Sequence, residues 1–443
     1  MLRFGKNSKG RGLRAALLTG ATVVALGIGG VGATGASAAP TCEGSDIIGQ
    51  GASLQKESQA LWTSLFNTGV CAGIGTEPKV TYEATGSGSG LRAWDFTGPD
   101  GTPFETLKAF TATDDAPTTA EIENAKAAAG GESEVLVIPV TQTSIAPVAN
   151  PPAECEVEEI TNREFERVMN GAIKKWGQIR TAFGPGCAGA KVTRVVRFDG
   201  SGTTYQFKNY MGLINKQPLP CTEGSLTWKE LRPVGEEEKP NITWPENGVG
   251  GCSANALSPV TTAGKKGNTE LVKKLNTIDG AIGYSSLADA ENNKTGDTLV
   301  LNLQNNGLVR LADATFAAAG VAGKNSNCAD AVYKVPADAQ VGGGSGENVD
   351  WSQVFGAKTN IGGTAFPLCT LTFDMALKGY EAAGMTEGQT ISVIDYLREY
   401  ITAEEGQDDI AEGEKYYSPL PTSPQAKFDV LGAAQLAASK IEY

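Results

Sequence analysis

The alternating apolar run from Lys191 to Val196 leads into Arg197-Phe198-Asp199-Gly200-Ser201-Gly202-Thr203-Thr204-Tyr205, and then into Phe207, Tyr210, Met211 and Ile214 at helical spacing. A strand therefore runs into a glycine turn that opens a helix. The first N–H groups of such a helix have no partner within it and carry the positive end of its dipole. They converge on an anion placed above Ser201, Gly202 and Thr203. The two hydroxyls add donors. Arg197, at the end of the strand, reaches the same point with a forked guanidinium, and Asp199 is near enough to hold that fork in place. Taken alone, Asp-Gly-Ser-Gly also reads as a plain surface turn.

The start of the chain has a different character. Arg3, Lys6, Lys9, Arg11 and Arg14 precede an apolar, glycine-rich stretch from Ala15 to about Ala33, and Ala36-Ser37-Ala38-Ala39 follows. This pattern predicts a secretory signal peptide over residues 1–39, so the mature chain is expected to be exported. An uncleaved anchor is the alternative, which the many glycines and the Ala-Ser-Ala ending disfavour. The 37 Lys and Arg against 50 Asp and Glu give a net charge of −13, and loss of the five leader cations makes the remainder more acidic still. Such a surface repels nucleic acid and anionic membranes, so capture of an anion must rest on local donors.

Eight cysteines, Cys42, Cys71, Cys155, Cys187, Cys221, Cys252, Cys328 and Cys369, all follow the leader, and an even count in an exported chain predicts disulfides. None sits in a Cys-x-x-Cys spacing, and the chain has no histidine. Zinc sites, thioredoxin-type chemistry and Ser-His-Asp or Cys-His catalysis are therefore not expected, and no metal or cofactor is implied. At 443 residues the chain exceeds one usual core, so two lobes are expected.

Three further stretches carry the same kind of signal. Ile47 to Gly51 precedes Ala52, Ser53 and Leu54, and Leu54, Leu61, Trp62, Leu65 and Phe66 follow at helical spacing, with Ser53 at the position of an N-cap. A strand from Lys79 to Ala84 enters Gly86-Ser87-Gly88-Ser89-Gly90-Leu91. Phe110 to Thr113 leads to Asp114-Asp115-Ala116-Pro117, after which Thr118 and Glu121 form a capping box. Val135 to Val140 and Ile145 to Ala149 read as two buried strands. Thr161 and Glu164 cap a helix carrying Phe165, Val168, Met169 and Ile173 on one face, with Trp176 read as core and Lys174 and Lys175 as solvated. Pro218 to Cys252 reads as an insertion.

Taken together, these segments resemble the phosphate-binding proteins of ABC phosphate importers. That family has Arg-x-Asp-Gly-Ser-Gly-Thr at the first stretch, Gly-x-Gly-Ala-Thr-Phe where this chain has Ser53-Leu54, Gly-Ser-Ser-Gly-Gly near Ser87, and Phe-Gly-x-Ser-Asp-x-Pro near Asp114. Gly267-Asn268, Gly280-Ala281-Ile282-Gly283-Tyr284, Phe366-Pro367-Leu368 and Tyr417-Ser418-Pro419-Leu420-Pro421 follow the family in order. The departures are Ser53-Leu54, the Gly-Ser-Gly-Ser-Gly order, the doubled Asp114-Asp115 and the cysteine-framed insertions.

The resemblance implies an α/β, two-lobed type II periplasmic-binding-protein fold with a hinge and an inter-lobe ligand cleft. Lobe one would be 41–138 plus 316–443, and lobe two 139–315. It implies a monomeric, non-enzymatic binder of inorganic phosphate serving an ABC permease, with a phosphatase-like enzyme or a binder of another oxyanion as alternatives. The ligand residues it implies are Ser53, Leu54, Ser87, Arg197, Ser201, Gly202, Thr203 and one aspartate. Counting from Phe110 selects Asp114, which we prefer, and counting back from Ala116-Pro117 selects Asp115. Bridges that stay within one lobe would pair Cys42 with Cys71, Cys155 with Cys187, Cys221 with Cys252 and Cys328 with Cys369. Ala39-Pro40-Thr41 before Cys42 is not a lipobox, so a periplasmic, wall-associated or secreted protein without a lipid anchor is expected.

Overall fold

The computed structural model describes residues 38–442 apart from 99–104, 106–107, 198, 220–225, 232–241, 245–255, 258–266, 321–325, 355–365 and 414–415. The expected leader, up to residue 37, and the Cys221–Cys252 pairing lie outside the described residues. The strands are β1 (Ile47–Gly51), β2 (Val80–Glu83), β3 (Phe110–Thr113), β4 (Val135–Asn150), β5 (Glu159–Ile160), β6 (Thr193–Val196), β7 (Ala256–Leu257), β8 (Ala281–Ser286), β9 (Leu299–Val300), β10 (Asn302–Gln304), β11 (Phe316–Ala317), β12 (Cys369–Leu377) and β13 (Tyr417–Ser418). The main sheet runs β2-β1-β3-β12-β4-β8-β6-β7, with β13 and β9 paired to β4, and β11-β10-β5 form a smaller sheet.

Two parallel groups flank an antiparallel centre. β1 pairs in parallel with β2 and β3, and β6 with β7 and β8. Between them β12 and β4 run antiparallel to each other and to their outer neighbours. The helices that follow the parallel strands are α1 (Lys56–Leu65), α2 (Ser87–Ala93), α3 (Thr119–Ala128), then, after α4 (Asn162–Met169), α5 (Gly202–Ile214), α6 (Asn268–Asn276) and α7 (Leu287–Asn293). In such sheets ligands bind beyond the carboxyl ends of the strands, where the helices begin. The sequence reading of strand, turn and helix at 191–214 is realised by β6 and α5, and both capping boxes, Thr118/Glu121 and Thr161/Glu164, form.

The two strands expected at Val135–Val140 and Ile145–Ala149 are one strand, β4, buried over almost its whole length. The polar interval Thr141-Gln142-Thr143-Ser144 looked like a break, because unpaired polar groups are costly inside a sheet. Each instead finds a carbonyl: Thr141 donates to Ser418 at 2.9 Å, Gln142 to Pro419 at 2.8 Å, Thr143 to Tyr416 at 2.7 Å and Ser144 to Ala319 at 2.8 Å. Partners supplied by the distant 416–419 segment and by Ala319 keep the ladder continuous. The first half of β4 pairs with β12 and the second half with β8, so the boundary expected at 138/139 falls inside this strand.

Three of the expected bridges and the buried tryptophan are met, and the Ser53 cap is not. Cys42–Cys71, Cys155–Cys187 and Cys328–Cys369 are bridged, with Cα separations of 5.4, 5.2 and 5.7 Å. Trp176 is fully buried and donates to the Gly280 carbonyl at 3.0 Å, whereas Lys174 and Lys175 are exposed. Ser53 does not cap a helix; it is the first residue of a 3-10 turn, Ser53–Gln55, that no side chain caps and that runs on into α1. Trp62 on that helix and Phe66 just after it are fully buried, each stabilising the core by roughly 1.5–3 kcal/mol.

Candidate functional site

The turn after β2 places Gly86 at φ 99° and starts α2 at Ser87, and Gly267, at φ 102°, precedes Asn268 at the start of α6. Both glycines hold a left-handed backbone that other residues adopt only with strain. Together with the Asp114-Asp115 turn after β3 and the start of α5, these segments converge. Arg197 is fully buried. Its Nε donates to Asp199 Oδ1 at 2.7 Å, its Nη2 donates to Asp199 Oδ2, and its Nη1 donates to Asn268 Oδ1 at 2.9 Å. The fork is therefore held as expected by Asp199, and also by Asn268.

From Asn268 the network continues across the site. Asn268 Nδ2 donates to Thr203 Oγ1 at 3.2 Å, and Thr203 Oγ1 donates to Asp114 Oδ2 at 3.2 Å. Ser87 Oγ donates to the same Asp114 oxygen at 3.3 Å, Thr372 Oγ1 donates to Asp114 Oδ1 at 3.3 Å, and Gln206 Nε2 donates to the Asp114 carbonyl at 2.7 Å. The start of α5 thus packs directly on the turns that carry Ser87 and Asp114. Gly202 makes that approach possible, since a Cβ there would lie 2.7 Å from Ser87 Oγ and from the Asp115 nitrogen.

The other expected residues take distinct positions. Ser201 is the N-cap of α5, its Oγ accepting from the Thr204 N–H at 3.2 Å, so part of its hydroxyl's capacity is used in holding the helix. Ser53 borders the start of α6, where a Cβ added at Gly267 would lie 3.3 Å from Ser53 Oγ. Leu54 is fully buried in the core, and Tyr417 donates to its carbonyl. Asp115 is also buried, and its backbone N–H donates to Thr113 Oγ1 at 2.9 Å.

The two aspartates differ electrostatically. Burial pushes Asp114 up to about 6, opposed by the hydroxyls of Thr203, Thr372 and Ser87 and by Arg197. Asp115 is pushed well above the carboxylate range by burial and by the nearby Glu121 and Asp114, without those compensating donors. Among the described residues no cluster of three potential metal ligands occurs. Asn268, Thr372, Gln206 and Tyr284, whose hydroxyl bonds Thr204 at 2.7 Å, were not read as site residues from the sequence. Gly267-Asn268 was visible there as a helix start and could have drawn Asn268 in, but no local signal marks Thr372. What this arrangement can do chemically is bind an oxyanion between a buried guanidinium, helix N-termini and hydroxyls, with one carboxylate able to accept a proton from it.

A family model described as a PBP superfamily domain matches residues 40–338. The chain is 28% identical over 292 residues to the phosphate-binding protein PstS of Xylella fastidiosa strain Temecula1, covering 64% of this chain and 65% of that relative. It is 26% identical over 258 residues to the phosphate-binding protein PstS of Pasteurella multocida strain Pm70, covering 57% of this chain and 60% of that one. The chain thus spans 65% of the length of the first curated relatives it matches. Among solved structures it is similar to a high-affinity periplasmic phosphate-binding protein, PfluDING, bound with phosphate, at a TM-score of 0.56 and 20% identity, over 85% of this chain and 91% of that one. A phosphate-binding protein of Stenotrophomonas maltophilia aligns at a TM-score of 0.52 and 16% identity, over 88% and 93%.

Proposed function

The chain belongs to the PBP superfamily and has its type II α/β fold, and from that premise we propose that it is an exported solute-binding protein that holds inorganic phosphate without chemistry and delivers it to an ABC permease. The observation that carries the reading is the hydrogen-bonded path from the buried Arg197 through Asn268 and Thr203 to the Asp114 carboxylate, to which Ser87 also donates. A buried guanidinium and hydroxyl donors beside the Asp114 carboxylate match an oxyanion that still carries a proton. Ser53, Leu54, Ser201 and Gly202 contribute at the margins of the same point, through hydroxyls and helix N-terminal amides.

In this reading residues 41–138 plus 316–443 form one lobe and 139–315 the other, with β4 passing between them. Ser87 and Asp114 then come from one lobe and Arg197 to Thr203 from the other, so ligand binding favours the closed arrangement. The relatives whose names include phosphate binding support this assignment by similarity. The Cys42–Cys71 bridge occupies the thiol that a lipid anchor would need, which fits an untethered exported protein acting as a monomer.

Calorimetry with phosphate, sulfate and molybdate, run beside a phosphatase assay, tests the proposal. One phosphate per chain at a Kd of about 1 μM or below, with no ester hydrolysis, is expected. Absence of phosphate binding with tight capture of another oxyanion would replace phosphate by that ligand, and turnover of an ester would replace binding by catalysis.

Gly202→Ala gives a sharper check on closure. The added methyl would sit 2.8 Å from Asp114 Cβ as well as against Ser87 Oγ and the Asp115 nitrogen. Overpacking of this kind costs about 1–3 kcal/mol, and here it is felt only when the two segments meet. Phosphate affinity should fall roughly fivefold to a hundredfold. An unchanged Kd would mean that the segments do not approach in the bound state.

A further inference from the structure

Behind Asp114, on the side away from Arg197, five buried side chains form a hydrogen-bond chain. Tyr396 O–H donates to Gln59 Oε1 at 2.8 Å. Gln59 Nε2 donates to Asp374 Oδ2 at 3.0 Å and to Gln55 Oε1 at 3.0 Å. Gln55 Nε2 donates to the Phe373 carbonyl at 3.0 Å and to Thr372 Oγ1 at 2.6 Å. Thr372 Oγ1 then reaches Asp114 Oδ1 at 3.3 Å, with the Thr113 carbonyl at 3.5 Å as its other acceptor. Gln55, Gln59, Thr372 and Tyr396 are all fully buried, as is Asp374.

The direction of this chain is fixed at the Phe373 carbonyl, which only accepts, and at Asp374 whenever that carboxyl, which burial pushes up to about 7, is ionised. A backbone carbonyl cannot donate, so the Gln55 amide must turn its NH2 toward Phe373 and therefore toward Thr372. An ionised Asp374 likewise turns the NH2 of Gln59 toward itself, which leaves Gln59 Oε1 for Tyr396. Because Thr372 Oγ1 already receives an N–H, its own proton is left for an acceptor, and the nearer one is Asp114.

We propose that Gln55 and Thr372 are positioning residues for Asp114, a directed hydrogen-bond chain that keeps a hydroxyl proton on Asp114 Oδ1 and so reserves the carboxylate as an acceptor toward the cleft. Gln59, Asp374 and Tyr396 hold the chain in that sense. The proposal deepens the phosphate reading and rests on it for its consequence in binding, but not for its primary test. Thr372 is one of the donors that oppose the upward push of burial on Asp114. Other charged or titratable groups face Asp114 from every side: Asp115 beside it, Arg197 and its partner Asp199 from the β6–α5 turn, Tyr82 from β2 and Asp374 from β12, with Glu121 of α3 behind Asp115. A change at Thr372 alters none of these groups, whereas Gln55 also bears on Asp374, so Thr372→Val is the cleaner variant.

The test is a 13C titration of the aspartate carboxyls in the ligand-free protein, with the Asp114 resonance assigned by its loss in Asp114→Asn. Unmutated Asp114 should titrate near 6. In Thr372→Val its midpoint should rise by roughly one pH unit, as expected for loss of one hydrogen bond to a buried carboxylate. Thr372→Ser, which keeps the hydroxyl, should restore the midpoint. Gln55→Met, which leaves Thr372 intact but frees its hydroxyl to turn toward Thr113, should shift it in the same direction by less. The pH dependence of phosphate affinity should move with the midpoint. If Asp114 titrates at the same pH in Thr372→Val and Gln55→Met as in the unmutated protein, the chain does not position it and the proposal fails. A protein that shows these shifts yet binds no phosphate would instead overturn the functional reading and leave the positioning role standing.

Discussion

Asp114→Asn is expected to admit sulfate to a site that otherwise excludes it. An ionised carboxylate only accepts hydrogen bonds, so beside a bound oxyanion it is attractive only if the ligand brings a proton. Phosphate near neutral pH carries at least one proton and sulfate carries none. Asp114 is 1% exposed, so two unprotonated anions would face each other out of water, a penalty of several kcal/mol and at least a hundredfold in relative affinity by order of magnitude. The amide of asparagine can donate to sulfate and removes that penalty. Asp115→Asn should change little, because the hydroxyls of Ser87, Thr203 and Thr372 donate to Asp114.

The same carboxylate makes selectivity depend on pH, with a definite sign. Asp114 titrates at about 6, so above that value it is an acceptor and below it a donor. Exclusion of sulfate should therefore be strong at about pH 8 and fade as the pH falls through the titration of Asp114, while Asp114→Asn should show no such change. Competition calorimetry at the two ends of that range measures it. Sulfate displacing phosphate from the unmutated protein at comparable concentration near pH 8 would remove Asp114 from the ligand and weaken the functional reading with it.

What could be read from the sequence was local. The β6 strand, the glycine turn and α5 announce themselves because a period of two changes to a period of 3.6 across Gly200 and Gly202, and that switch carried Arg197, Asp199 and Thr203 with it. Ser201 shows the limit of such reading, since one hydroxyl near a helix start serves as cap and ligand donor by the same chemistry, and only the distance to Thr204 tells that it caps. The choice between Asp114 and Asp115 could not be made by counting, because adjacent residues in a turn point in different directions. Contacts with Ser87 and Thr203 distinguish them. Thr372 reaches Asp114 across 258 residues of sequence through the antiparallel pairing of β12 with β3, which the linear pattern does not encode. The polar middle of β4 was misread for the same reason, its partners being supplied from residues 416–419 and from Ala319.

Arg197→Ala should abolish useful phosphate binding, and the way it does so distinguishes a ligand-binding arginine from a structural one. Its guanidinium is buried and donates to Asp199 and Asn268, so truncation removes a charge-assisted donor from the site and takes from the Asp199 carboxylate, whose side chain is 7% exposed, its buried cation. Loss of one partner from a buried pair costs about 3–5 kcal/mol, which should lower the thermal midpoint as well as affinity. Arg197→Lys keeps the charge but not the fork, and cannot hold Asp199 and Asn268 at once. It should retain more stability than the alanine variant while still binding phosphate at least tenfold more weakly. In the double variant Arg197→Ala/Asp199→Asn that carboxylate charge is gone, so much of the stability should return. Phosphate affinity should not, because the donor is still missing. Recovery of affinity together with stability in the double variant would show that Arg197 only holds the turn in place, and the anion site would have to be sought in the helix N-termini and hydroxyls alone.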